Sequence, residues 1–223
     1  MRRKHQNAGV GWASGVSAVD VGRLLRIVPY WLQRTPRGER KELVIDPGPS
    51  FGAGNHPTTV MALELLEEAL ESLRCEAPSP SLLDVGTGTG VQAIAGKALG
   101  AGFTVAFDPD GAAVFSARRN FGLNGLWKRG SKEDDGPCVF IGGIEAVGGR
   151  FDLVMANLVA PVLLRVVGPL TQRVKHRLIL AGIADPMAEK TISAYCAEGL
   201  SMVKQLSREG WNAGLFVRRP EEG

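Results

Sequence analysis

The sequence predicts an α/β fold, a doubly wound and mostly parallel sheet with helices on both faces. Three observations lead there. From Ser81 onward, short apolar runs of strand length alternate with amphipathic runs of helix length. A glycine-rich turn, Asp84-Val85-Gly86-Thr87-Gly88-Thr89-Gly90, follows the first of those apolar runs directly. An acid, Asp108, stands at the tip of the next one.

Residues 1–20 are rich in Gly, Ser and Ala without a period, and read as a loose arm. Leu24 to Trp31 reads as a strand, followed by a turn at Thr35-Pro36-Arg37-Gly38 and a short strand Leu43-Val44-Ile45. The stretch Phe51 to Thr59 is a Gly-rich loop that runs into a helix. Pro57 suits the first helical position, and Asn55 or His56 is placed to cap it. Met61, Leu65, Leu66, Ala69 and Leu73 mark the buried face of that helix, with Glu64, Glu67, Glu68 and Glu71 largely on the opposite one.

Strands are expected at 82–85, 104–107, 138–141, 151–156 and 178–180, and helices at 91–99, 112–122 and 186–198. Residues 162–174 read as a helix broken at Gly168-Pro169, and 128–137 as an exposed polar loop. Two last strands around Met202-Val203 and Leu215–Val217 predict an antiparallel edge. The division expected is an arm at 1–21, strands and a loop at 22–56, and the main domain at 57–223.

Composition narrows the function. The 223 residues are 44% hydrophobic and 22% charged, with a formal net charge of +3, too small for a nucleic-acid footprint. No run approaches the ~20 apolar residues that cross a bilayer, and no apolar segment follows the basic start, so a cytoplasmic protein is expected. Three widely spaced cysteines give neither a disulfide framework nor zinc-ligand spacing, and no metal site is expected.

In an open parallel sheet, ligands bind beyond the carboxyl ends of the strands where strand order reverses. Gly86, Gly88 and Gly90 occupy that location and let a ligand lie against bare backbone. A dinucleotide fingerprint needs Gly-x-Gly-x-x-Gly, but here the third glycine comes one residue early and position 91 is Val. That spacing looks like the turn of class I methyltransferases. Asp108 can accept hydrogen bonds from both hydroxyls of an adenosyl ribose, or it can cap the helix after Pro109; the order of strand, turn and acid favours ribose.

Two further stretches sharpen the reading. Phe51-Gly52-Ala53-Gly54-Asn55-His56-Pro57-Thr58-Thr59 closely resembles the Phe-Gly-Thr-Gly-x-His-x-Thr-Thr loop of the PrmA family. Those enzymes methylate large-subunit ribosomal protein eleven. Ala156-Asn157-Leu158-Val159-Ala160 is similar to that family's Ala-Asn-Ile-Leu-Ala segment, and Ala181-Gly182-Ile183 stands in its Ser/Thr-Gly-Ile place. The resemblance runs from about Gly22 to Arg219, without the N-terminal substrate-recruiting domain of full-length members.

The resemblance implies a Rossmann-like class I methyltransferase using S-adenosyl-L-methionine on lysine or N-terminal amines of a ribosomal protein. Thr59 is then expected at the methionine end, Gly86 and Gly88 along the backbone groove, Asp108 at the ribose, and Asn157 beside the departing methyl group. His56 is read as a helix cap or a packed histidine, Thr58 and Thr59 as alternative partners of first-turn amides, and Glu145 as a neighbour of the adenine. The alternatives are transfer to another protein lysine or a small molecule, a nicotinamide-dependent oxidoreductase, and a non-catalytic cofactor-binding module. No direct nucleic-acid or membrane partner is expected.

Overall fold

The structure is a computed structural model that describes residues 17–32, 39–48, 56–127 and 136–219. The expected turn at 35–38, residues 51–55 of the Gly-rich loop and most of the 128–137 loop lie outside these residues, as does 1–16 of the expected arm. No described helix is long and apolar enough to cross a membrane.

The chain starts with a small sheet of β1 (Val19–Val21), β2 (Leu25–Pro29) and β3 (Lys41–Ile45), in that order, with β2 and β3 parallel. Strand β1 thus falls inside the stretch expected to be a loose arm, where it pairs antiparallel with β2. Helix α1 (Pro57–Leu73) follows. The alternating part then comprises β4 (Leu82–Val85), α2 (Val91–Leu99), β5 (Thr104–Asp108), α3 (Gly111–Leu123), β6 (Cys138–Ile141) and β7 (Phe151–Asn157). After these come α4 (Ala160–Arg165), α5 (Val167–Thr171), β8 (Val174–Ala184), α6 (Ala188–Ala197), β9 (Leu200–Arg208) and β10 (Trp211–Arg218).

The main sheet has seven strands in the order β6-β5-β4-β7-β8-β10-β9. Only β10 runs against its neighbours, and it sits one strand in from the edge. From β4 the chain steps outward to β5 and β6, then returns to β7 on the other side. The order therefore reverses at β4, and a crevice opens between the loops leaving β4 and β7.

Alternate residues of each central strand serve opposite faces. Leu82, Leu153 and Met155 join a core with α1, α2 and α3, while Leu83, Val154 and Ala156 join a second core with α4, α5 and α6. Both faces are covered, which explains why β4 and β7 read as mostly apolar runs, broken only by Asp84 in β4 and by Asp152 and the terminal Asn157 in β7.

Three expectations need correction. Glu67 was assigned to the outer face of α1 but is buried, and its carboxylate accepts the N–H groups of Arg23 and Leu24, both at 2.9 Å. These bonds satisfy the charge in place of water and fasten the β1–β2 turn to α1. The break in the 162–174 helix falls at Val166 (φ −109°, ψ 14°), ahead of Gly168-Pro169. Pro169 lies in the first turn of α5, where a missing N–H breaks no helical bond. Val174 is not helical; it opens β8 by pairing with Phe151.

Candidate functional site

The turn after β4 is held by backbone and by two carboxylates. Gly86 and Thr87 both donate their N–H groups to the Phe107 carbonyl, at 3.0 and 2.9 Å. Gly86, Gly88 and Gly90 have φ of 71°, 53° and 81°, a region that strains any side-chain-bearing residue. A Cβ at Gly86 would also come within 2.5 Å of Leu158 Cδ2.

Beneath the turn, Asp84 is fully buried. It accepts hydrogen bonds from Thr87 Oγ1 (2.6 Å) and Gln92 Nε2 (2.9 Å). Burial pushes its carboxyl up to about 6; the nearby Asp108 adds to the rise, and the Thr87 and Gln92 bonds oppose it. Sequence reasoning passed over Asp84, although a carboxylate within an otherwise apolar strand was the available signal.

Asp108 ends β5. Its Oδ2 accepts the Gly88 N–H at 3.1 Å, and its Oδ1 the Asp110 N–H at 3.0 Å. It does not cap α3. That task belongs to Asp110, whose Oδ1 accepts the Ala112 N–H at 2.8 Å. Asp108 therefore braces the turn and keeps lone pairs for a ligand, since a carboxylate offers about four acceptor sites.

At the opposite wall, His56 is the N-cap of α1, its Nδ1 accepting the Thr58 N–H at 3.3 Å and lying 2.8 Å from Thr58 Oγ1. Thr58 is thereby occupied in the first turn. Thr59 is not: its Oγ1 is buried and, among the described residues, has no hydrogen-bond partner. The same holds for Asn157 Oδ1 at the end of β7 and for Gln92 Oε1. Buried polar atoms left without partners are rare, and three around one space point to a ligand that would satisfy them.

That space is a cavity of about 470 Å³ at the crevice, within the range of small-molecule sites. Thr59, Gly86, Gly88, Asp108 and Asn157 all line it, so residues picked from four separate segments converge. Glu145 does not line it and is exposed. Val162, Gly182 and Trp211 line it without having been singled out for a site role. Gly182 (φ 83°) had a signal in its motif; a Cβ there would fall 2.5 Å from the Leu158 carbonyl and 3.2 Å from Asn157 Oδ1. Trp211 had none, because the return of β10 brings it to the mouth, where its ring meets that of His56 edge-on at 5.3 Å. Among the described residues, Asp108 and Asp110 line the cavity and no lysine or arginine does.

A crystal structure of ribosomal protein L11 methylase from Lactobacillus delbrueckii subsp. bulgaricus superposes with a TM-score of 0.77 at 26% identity, covering 92% of this chain and 99% of that one. Magnesium protoporphyrin IX methyltransferase from Synechocystis PCC 6803, solved with bound SAM, shares the fold alone, with a TM-score of 0.52 at 16% identity over 76% of this chain and 88% of that one. The architecture is thus the Rossmann-like fold of the methyltransferases.

The family model described as "Ribosomal protein L11 methyltransferase (PrmA)" matches residues 8–219. The chain belongs to the PrmA family. Ribosomal protein L11 methyltransferase of Myxococcus xanthus is 37% identical over 90% of this chain, and that of Pelobacter propionicus 36% identical over 93%. The chain spans 65% of the length of each of these two relatives.

Proposed function

We propose that the chain is an S-adenosyl-L-methionine-dependent protein N-methyltransferase acting on lysine or N-terminal amines of a large-subunit ribosomal protein. The observation that carries the reading is one cavity that joins a glycine cradle, braced by Asp108, to the unpartnered buried oxygens of Thr59 and Asn157. The residues fit the cofactor: Gly86 and Gly88 leave room beside the backbone, Asp108 would accept from the ribose hydroxyls, and Thr59 Oγ1 would hold the methionine end. Among the described residues, two lining carboxylates with no lysine or arginine beside them favour a cationic ligand and disfavour a pyrophosphate. The substrate is taken from the names of the relatives. On this reading residues 57–223 are the cofactor domain, 22–56 supply the strands and loop that complete it, and 1–21 precede both.

Bound there, S-adenosyl-L-methionine supplies a methyl group on a sulfonium, which is the difficult part of the chemistry. The chain aligns the nucleophile. A lysine amine has a reference pKa of about 10.4 and must be neutral to react. The apolar mouth of Leu158, Val159 and Val162 disfavours the ammonium form, so the proton leaves to solvent as the amine enters. Asn157 Oδ1 then accepts one remaining N–H and turns the lone pair inward.

The test is transfer of labelled methyl groups into ribosomal protein L11 and into whole lysate, with the modified residue located by mass spectrometry. Wild type should label an amine of the ribosomal protein. Asn157→Ala should lower kcat on the order of 100-fold, with a much smaller loss of cofactor affinity. Label appearing only in other proteins or small molecules would redirect the substrate, and a mutant with wild-type kcat would remove Asn157 from the chemistry.

A further inference from the structure

Asn120 is fully buried on α3 and spends all of its amide on two separate backbone segments. Its Oδ1 accepts the Asp46 N–H at 2.8 Å, and its Nδ2 donates to the Asp46 carbonyl at 3.1 Å. An amide side chain thus pairs the end of β3 as a neighbouring strand would. The second Nδ2 hydrogen reaches the Thr89 carbonyl at 2.8 Å, inside the glycine turn. The contact is tight there: a Cβ at Gly90 would meet Phe121 Cε1 at 2.7 Å and Ala117 Cβ at 3.1 Å, both on α3. Asp46 is itself fixed by Arg119 at 2.7 Å.

We propose that Asn120 is a positioning residue that ties the end of β3 to the glycine turn and so holds that turn in the shape the cofactor groove needs. The proposal rests on the reading of that turn as the S-adenosyl-L-methionine groove.

The molecule contains its own control. One helical turn along α3, Asn124 pairs β3 in the same way, accepting the Val44 N–H at 2.9 Å and donating to the Val44 carbonyl at 2.7 Å. Its remaining hydrogen goes to the Asn120 carbonyl at 2.8 Å and not to the turn. Asn120→Asp and Asn124→Asp put a carboxylate against the backbone carbonyls of Asp46 and Val44 in turn, but only the first breaks the bond to the Thr89 carbonyl.

The experiment compares melting temperature, S-adenosyl-L-methionine Kd by calorimetry, and steady-state kinetics for wild type and both variants. Both variants should melt lower than wild type. Asn120→Asp should raise Kd and the cofactor KM tenfold or more with kcat within threefold, while Asn124→Asp keeps Kd within twofold. Wild-type Kd in Asn120→Asp, or an equal loss of affinity in Asn124→Asp, overturns the proposal. If Asn120→Asp does not fold, Asn120→Ser and amide exchange in the wild type decide. Cofactor should slow exchange of the Asp46 N–H more than that of Val44, and equal exchange rates overturn the coupling. Wild type that binds no cofactor overturns the underlying reading as well, a result the same titration separates from a defect confined to Asn120.

Discussion

Under the glycine turn, Asp84 keeps its proton to about pH 6, against 3.8 in an unfolded chain. The native state binds that proton more tightly, so the stability it contributes is full below about pH 4 and is lost as pH rises through 6. The difference corresponds to about 3 kcal/mol. Asp84→Asn carries no such proton. The gap in unfolding free energy between wild type and Asp84→Asn should therefore move by about that amount between pH 4 and 7.5, against the wild type. Denaturant titrations at both pH values measure it, and a constant gap would mean that Asp84 is ionised throughout. Gly86, Gly88 and Asp108 lie at strand ends, where the order of strand, turn and acid points to the candidate site, and Thr59 and Asn157 lie in the two motifs that carry the family resemblance. Gln92 and Trp211 carry no such signal, because nothing in their neighbours distinguishes them from ordinary helix and strand residues.

Asp152 works at the far end of the same elements. It accepts from the Ser81 N–H and Oγ at 2.8 and 2.7 Å and from Lys175 Nζ at 2.9 Å, stapling the starts of β4, β7 and β8. Burial opposes its ionisation, yet the Lys175 and Ser81 bonds outweigh burial and hold the carboxyl at about 2. That stabilisation is present above about pH 4 and fades as pH falls through 2. Asp152→Ala should lower the melting temperature at pH 7 while cofactor Kd stays unchanged, because the cavity lies beyond the opposite ends of the strands. A matching loss of affinity would show that the two ends are coupled. Element boundaries were read best where apolar periodicity was strong, as in α1, β4 and β7. They were read worst where charged and polar residues flank a short apolar centre: only 178–180 of β8 and 202–203 of β9 are expected, yet these strands span Val174–Ala184 and Leu200–Arg208. Pairing with a neighbour extends both through residues whose side chains stay partly in water.

At the scale of the whole molecule, binding at the crevice couples to global stability, since the site draws on α1, β4, β5, β7 and β10 together. S-adenosyl-L-methionine at ~100 times its Kd should add about 2.7 kcal/mol to unfolding. For a chain of this size that is a rise of roughly 5–10 °C in melting temperature. Thermal scans with and without cofactor check it, with NAD as the comparison expected to give no shift. An equal shift with NAD would count against the sulfonium site.

By itself the sequence determined the alternation of strands and helices, the glycine turn with its short third spacing, and the acid at the tip of the second main strand. Those are local: periodicity records which faces are buried, and glycine and carboxylate at a strand end need no distant partner to be recognised. Only the tertiary structure decided that Glu67 turns inward to Arg23 and Leu24, that Trp211 returns to the cavity mouth, and that Asn120 ties Asp46 to Thr89. Each of these depends on a backbone group or cavity wall supplied by a segment remote in the chain, and a side chain carries no local mark of the partner it will meet after folding.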